Sequence, residues 1–192
     1  MAEKPANDLI ILLDGYSDFL KAFISEEQSD FIRLKKQNEN RFSILEKHKD
    51  LSSPFYLYTN AELMMQEALV KIKFHEYVSA VALIVRANRY IEKNKQLFPS
   101  FPLNDKLLGI INIMAGSVPK QFQWLSDLAG ISGTVEMGKN RLYLLYMSLA
   151  NSEYSSFRPE LLFYISVTEA VYAVNEDKYV RWLKEYGQHK IS

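Results

Sequence analysis

The chain has 192 residues, and its 23 basic and 23 acidic residues give a formal net charge of zero. A neutral chain without a long basic run lacks the electrostatic footprint of a nucleic-acid binder or a polybasic membrane anchor. Cysteine is absent, which excludes disulfides and thiolate chemistry. No stretch approaches the roughly 18 uncharged apolar residues of a membrane span, and Met1 to Pro5 is not a signal peptide, so the sequence does not indicate a compartment.

The first predicted element is an amphipathic helix from Asp8 to Ser25, with Asn7 or Asp8 as its N-cap. Its apolar residues recur at helical spacing and predict one stripe on a common face: Leu9, Leu12, Leu13, Tyr16, Phe19, Leu20, Phe23 and Ile24. A second helix is predicted at roughly Glu27 to Lys49, with an outer face exposed to solvent. Its apolar stripe is thinner and consists of Phe31, Leu34, Phe42 and Leu45. The two helices form a predicted hairpin over residues 8–50.

Residues 54–98 predict a second hairpin, in which two helical patterns meet at the short connection Phe74-His75-Glu76. Ser53 is the predicted N-cap of its first helix, and Pro54 is the first helical residue, where a missing N–H is harmless. A connection this short makes the two helices antiparallel neighbours. Small residues would let the helices approach closely, namely Ala68, Ala80 and Ala87.

The rest of the chain also reads as helix. Further helices are predicted at about Asp105 to Ser117, Pro119 to Leu128, Gly133 to Asn151, Pro159 to Val174 and Asp177 to His189. The first of these is apolar around most of its circumference and is predicted to be buried, and Gly130 is the predicted left-handed C-cap of the second. Residues 103–150 thus form a segment with a short central helix, and residues 159–190 form a last hairpin. No alternating strand pattern exceeds a few residues, which predicts an all-α protein of seven to nine helices.

The second hairpin resembles a tetratricopeptide repeat. Small and aromatic residues recur there at the offsets of that repeat, carried by Ala68, Tyr77, Ala80, Ile84 and Ala87. A closer resemblance, covering Tyr56 to Tyr143, is to tetratricopeptide-like proteins of the Bacteroidota with no assigned activity. It is carried by the segments 69–74, 94–99, 106–109, 116–119, 124–125, 128–130 and 133–135.

This resemblance implies a fold and an origin. The implied fold is one helical-repeat domain over residues 1–192, with antiparallel hairpins stacked as a short right-handed α-solenoid. Family members are usually longer and exported, so the resemblance implies that the chain is an excised portion of such a protein. It implies no catalytic residue.

One segment comes close to a phosphate-binding motif. Gly133 to Asn140 lacks one residue of the pattern G-x4-G-K-[ST], because Asn140 stands where a hydroxyl must ligate magnesium. The preceding residues, from Trp124 to Leu128, read as helix rather than as the buried strand that the loop requires. We therefore expect the glycines at 130 and 133 to shape a turn, and Gly138 to permit close packing. Ser132 in the same turn is a capping residue rather than a nucleophile.

Other titratable residues give no metal or acid–base pattern. The histidines at positions 48, 75 and 189 lack partners at i+3 or i+4, so helical metal-ligand spacing is absent, and His75 is expected to form a local hydrogen bond. The carboxylate pairs Glu62/Glu67 and Glu26/Glu27 are expected to lie on solvated helix faces.

The function predicted from the sequence is a non-catalytic helical-repeat scaffold or protein-interaction module, with no catalytic, cofactor-binding or metal-ligating residue. The alternative is a small-molecule-binding or enzymatic helical domain with a site near Trp124 and Gly133. The expected partner is a protein or peptide, with no nucleic acid and no direct membrane insertion. Aromatic residues also form a stripe near the C-terminus, consisting of Tyr164, Tyr172, Tyr179, Trp182 and Tyr186. This stripe is expected to be either core or interface, and a homodimer through the C-terminal helices is a further hypothesis.

Overall fold

The computed structural model describes residues 7–117 and 130–172. Within these ranges it contains seven α-helices and two short 3₁₀ turns, and no strand, which confirms the all-α prediction there. The helices are α1 (Asp8–Ser25), α2 (Gln28–Lys47), α3 (Pro54–Lys73), α4 (Tyr77–Leu97), α5 (Asn104–Ser117), α6 (Val135–Ser148) and α7 (Arg158–Tyr172). The helices predicted at 119–128 and 177–189 lie outside the described residues.

These residues fall into two compact units. The first unit comprises residues 7–107 with 130–131, and the second comprises residues 108–117 with 132–172. In the first unit α1 packs against both α2 and α3, and α3 packs against α4. Part of its core lies among the first three helices, where Phe19, Phe31, Leu34 and Val70 are buried together. In the second unit α6 packs against α7.

Local capping fixes three helix starts. The Asn7 side chain accepts a hydrogen bond from the Leu9 N–H, and the Ser53 hydroxyl accepts one from the Phe55 N–H, at 3.0 Å and 3.2 Å. Thr134 caps α6 in the same way. Each bond satisfies one of the N–H groups that a helix leaves unpaired at its first turn. The predicted Ser53 cap and Pro54 start are both confirmed.

The hairpin of α3 and α4 is confirmed with its predicted three-residue connection. His75 adopts a left-handed conformation, with φ of 61°, and its Nδ1 lies 2.8 Å from the Tyr77 hydroxyl. The backbone N–H of Glu76 closes the turn by donating to the Lys71 carbonyl at 2.8 Å. The three small residues of the hairpin are completely buried, as close packing requires: Ala68, Ala80 and Ala87.

The predicted buried stripe of α1 is wrong in part. Leu12 and Phe19 are buried as expected, but the side chains of Leu13, Leu20 and Ile24 are exposed. The small residues Gly15 and Ala22 take their place in the contact with neighbouring helices. At Gly15 an added methyl group would lie 2.3 Å from the Leu63 side chain, so the glycine lets α1 approach α3 closely. The helix therefore has two apolar faces, and only one of them is covered.

The buried line of α2 contains polar residues. Buried positions follow one another at intervals of three and four residues, namely Phe31, Leu34, Asn38, Arg41 and Leu45. The prediction that the outer face of α2 is exposed to solvent is confirmed, but the burial of Asn38 and Arg41 was not predicted. These two polar residues connect α2 to α1 and α3.

Candidate functional site

A buried ionic cluster joins α1, α3 and α5 in the first unit. Lys106 Nζ lies 3.1 Å from Glu62 Oε1 and 3.1 Å from the Tyr16 hydroxyl. That hydroxyl also donates to Glu62 Oε1 at 2.7 Å. The side chains of Lys106 and Glu62 are 0% and 1% exposed, and the ammonium group also lies 5.4 Å from the centre of the Tyr58 ring. We call Tyr16, Glu62 and Lys106 the Lys106 cluster.

The expectation that Glu62 lies on a solvated helix face is therefore wrong. Two opposite charges removed from water attract each other strongly, but each has also lost its hydration, so the pair is costly unless both members stay together. The side chains of Lys106 and Glu62 are almost completely shielded from solvent, and the contacts of the cluster link three helices that are distant in sequence.

A second buried cluster joins α1 to α2. The guanidinium group of Arg41 donates to Asp14 Oδ2 at 2.9 Å through Nε and at 2.6 Å through Nη2. Nη2 also lies 2.5 Å from Asp18 Oδ2. The Arg41 side chain is 4% exposed, so its fixed fork of donors is matched almost entirely by groups of the protein.

This cluster extends to α3 through Asn38. Arg41 Nη1 donates to Asn38 Oδ1 at 3.0 Å, and Asn38 Nδ2 donates to Glu67 Oε2 at 3.1 Å. Glu67 is thus a partly buried acceptor, which corrects its assignment to a solvated face. We call Asp14, Asp18, Asn38, Arg41 and Glu67 the Arg41 cluster. Glu26 and Glu27, by contrast, are exposed as predicted.

The exposed side of α1 carries an apolar stripe. The side chains of Ile10, Leu13, Leu20 and Ile24 are 65%, 67%, 44% and 76% exposed, and exposed Ser17 lies between them. Successive members are three, four, three and four residues apart, so they line one face of the helix. That face lies opposite the buried residues Leu12, Gly15, Phe19 and Ala22. We call Ile10, Leu13, Ser17, Leu20 and Ile24 the α1 outer face.

The segment that resembles a phosphate-binding loop is helical. Helix α6 begins at Val135, so Gly138 and Lys139 lie within it rather than in a loop. Lys139 Nζ lies 2.8 Å from Glu169 Oε1, and both side chains are 15% exposed. The amine that would contact a phosphate is therefore paired with a carboxylate of α7.

The glycines of the second unit are in close helix contacts. A methyl group added at Gly138 would lie 2.4 Å from the Gly109 carbonyl oxygen, and one at Gly133 would lie 2.6 Å from Asn112 Nδ2. The predicted packing role of Gly138 is confirmed. Gly130 has φ of 62°, the left-handed conformation expected of it. Gly133 of the alternative site thus lies against α5, while Trp124 lies outside the described residues.

The described histidines and carboxylates do not assemble a metal site. Within residues 7–117 and 130–172, no three of them converge in a way that could hold a metal ion. His75 bonds Tyr77 locally, as predicted, and His189 is outside these ranges. None of the described helices has the length and apolar character needed to cross a bilayer.

Sequence reasoning missed the polar members of both clusters. For the Arg41 cluster a signal existed, because Asn38 and Arg41 continue the three-and-four spacing of the α2 stripe where apolar residues are expected. For the Lys106 cluster the signal was weaker. Glu62 and Lys106 are each followed by two apolar residues, but nothing local indicates that they pair across 44 residues.

Comparison with known proteins provides no family for this chain. No protein-family model, no curated protein sequence and no solved structure matches it.

Proposed function

We propose that this protein is a non-catalytic helical-repeat module, of tetratricopeptide-like design, that binds an amphipathic partner helix along the α1 outer face. The observation that carries the proposal is that face: four large apolar side chains, each 44–76% exposed, in one line along a helix of 18 residues. Isolated exposed apolar residues are ordinary, but a continuous line of them marks an interaction site.

The repeat design is supported by the way the first three helices pack. In a helical-repeat array the first helix of one hairpin contacts both its own partner and the first helix of the next hairpin. Here α1 contacts both α2 and α3. The side of α1 that faces away from α2 and α3 is apolar and exposed.

The partner chemistry follows from the shape and charge of the face. The apolar side chains of the α1 outer face are spaced three and four residues apart. This spacing fits the apolar face of another helix, whose side chains would insert between those of α1. Asp14 and Lys21 border the line on the same side, and their side chains remain 68% and 54% exposed. A partner helix with one basic and one acidic residue beside its seam would complement them.

Site-specific photo-crosslinking tests this proposal. A benzophenone side chain replaces Leu13 on the outer face of α1, or Ile32 on α2 as the control, since Ile32 is similarly exposed at 57%. Crosslinking is carried out in the cells that produce the protein, and the crosslinked peptides are mapped by mass spectrometry. We expect products at position 13 that map to the apolar face of a helix. Equal yields at positions 13 and 32, or products spread over polar loops, would overturn the proposal.

A further inference from the structure

The α1 outer face has the pattern of a helix that pairs with a copy of itself. Resting on the proposed function, we propose that its occupant is α1 of a second copy of this chain, packed antiparallel with Ser17 facing Ser17. Ile10, Ser17 and Ile24 take the a positions of a heptad pattern, and Leu13 and Leu20 take the d positions. Apolar residues at a and d form the seam of a helix pair, and the charges that flank the seam set the orientation of the two helices.

Charge decides the direction of the pairing. Asp14 and Lys21 both follow a d residue, so they lie on the same edge of the seam. In an antiparallel pair this edge faces the same edge of the other copy, which places the Asp14 carboxylate of each copy near the Lys21 ammonium of the other. In a parallel pair the edge would face Leu9, Tyr16 and Phe23 instead, which are partly covered within their own chain. Antiparallel pairing therefore forms two ion pairs that parallel pairing does not.

The existing contacts of these two residues are compatible with the pairing. Asp14 already accepts from Arg41, and Lys21 lies 3.1 Å from Asp30, yet both side chains remain more than half exposed. Arg41 holds the Asp14 carboxylate in place, so little side-chain freedom is lost when the second copy arrives. Ser17 at the centre is small, which lets the two helices approach at the two-fold axis.

The area involved predicts a weak dimer. Helix α1 is about 27 Å long, and one face of it would bury on the order of 400 Å² per copy, roughly half of the 800 Å² typical of a stable interface. Association is therefore expected to be weak, as it is for transient complexes whose interfaces lie at the low end of the size range.

Sedimentation velocity of the full chain, between about 5 µM and 500 µM, tests the association. We expect wild type to shift from monomer to dimer, Leu13→Lys to weaken dimerisation at least tenfold, and Ile32→Lys to leave it unchanged. Circular dichroism confirms that each variant is folded. A monomer at every concentration would overturn the inference, as would a dimer that Leu13→Lys does not weaken.

Disulfide mapping tests the direction, because the chain has no cysteine of its own. Antiparallel pairing predicts that Ser17→Cys crosslinks to itself under mild oxidation. It also predicts that Ile10→Cys crosslinks with Ile24→Cys in a mixture, while each alone does not, because like positions then lie about 21 Å apart. Self-crosslinking of Ile10→Cys would contradict the proposed direction.

The outcome separates this inference from the proposed function. If photo-crosslinks from position 13 map to a helix of a different protein and wild type remains monomeric, self-pairing is wrong and the proposed function stands. If position 13 shows no preference over position 32, both are wrong.

Discussion

Two sets of helix contacts in this protein, one in each unit, are built from different groups. In the first unit, buried charged and polar groups connect α1, α2, α3 and the start of α5, through Lys106 with Glu62 and through Arg41 with Asp14. In the second unit, α5 and α6 touch through backbone, with Gly138 against the Gly109 carbonyl. A buried charge is stable only when its oppositely charged partner lies beside it. A glycine contact requires only that no side chain separates the two backbones.

The two kinds of contact tolerate different substitutions. A charge pair should fail when one member is lost and recover when both are replaced, because the cost comes from the unpaired charge. A glycine contact should fail on addition of a single carbon and should have no compensating partner change.

The largest effect is expected from Lys106→Met, which leaves the Glu62 carboxylate buried without its cation. Removing one member of a buried pair costs about 3–5 kcal/mol of unfolding free energy. The double variant Glu62→Met/Lys106→Met should recover at least half of that loss. Urea unfolding of wild type, both single variants and the double variant measures the coupling free energy between Glu62 and Lys106. Purely additive losses of unfolding free energy would show that the two residues do not act as a pair.

Next comes Gly138→Ala, in which the new methyl group meets a backbone carbonyl that cannot move alone. We expect a loss of about 1–3 kcal/mol from overpacking. Gly15→Ala is the matched control in the first unit, because its methyl group meets the end of the Leu63 side chain, which can rotate away. Thermal denaturation of both variants provides the comparison. A larger loss at Gly15 than at Gly138 would contradict the distinction between side-chain and backbone contacts.

The hairpin of α3 and α4 is an intermediate case, because small side chains lie at the contact between its two helices. Ala80→Leu should overpack the buried contact and cost about 1–3 kcal/mol, toward the lower end because alanine contacts adjust more than backbone ones. Glu92→Ala, on the exposed side of α4, should be nearly neutral. Equal melting temperatures for the two variants would show that Ala80 does not lie at a close approach.

The smallest effect is expected at Glu46, an exposed residue. The Tyr56 hydroxyl donates a hydrogen bond to Glu46 Oε2 at 2.7 Å. This bond, followed by one from Lys49, holds the pKa of Glu46 below its usual range. Because the pKa of Glu46 is lower in the folded state, this bond contributes fully to stability at a pH above the unfolded-state pKa, about 4.3. The contribution is lost as the pH falls through the folded-state pKa. The melting-temperature difference between wild type and Tyr56→Phe should therefore shrink from pH 7 to pH 3. A difference that stays constant would show that Glu46 does not contribute through this bond.

Helix positions could be predicted from the sequence because their signals are local. Asn7, Ser53 and Pro54 act within a few residues, and the predicted α1 range is the one observed. The direction in which α1 faces could not be predicted, because Leu12 and Phe19 mark one face while Leu13 and Leu20 mark another with the same helical period. The buried glycine and alanine at 15 and 22 decide between the two faces, and small residues contribute little to an apolar pattern.

The candidate site was missed for the same reason. A line of leucine and isoleucine at helical spacing normally indicates core, so the sequence predicts that Leu13, Leu20 and Ile24 of the α1 outer face are buried. The pairing of Glu62 with Lys106 depends on tertiary structure that no local pattern encodes. What the sequence did predict correctly near the suspected phosphate motif was that Gly138 serves packing.

Hydrogen–deuterium exchange at low and high protein concentration shows whether the α1 outer face is covered when two copies meet. At about 500 µM the amides of α1 should exchange more slowly than at about 5 µM, because covering the face suppresses fraying of the helix. Peptides from α2, residues 28–47, should exchange at the same rate at both concentrations, and Leu13→Lys should remove the effect from α1. Exchange of α1 that does not change with concentration, or that slows equally in α2, would contradict the claim.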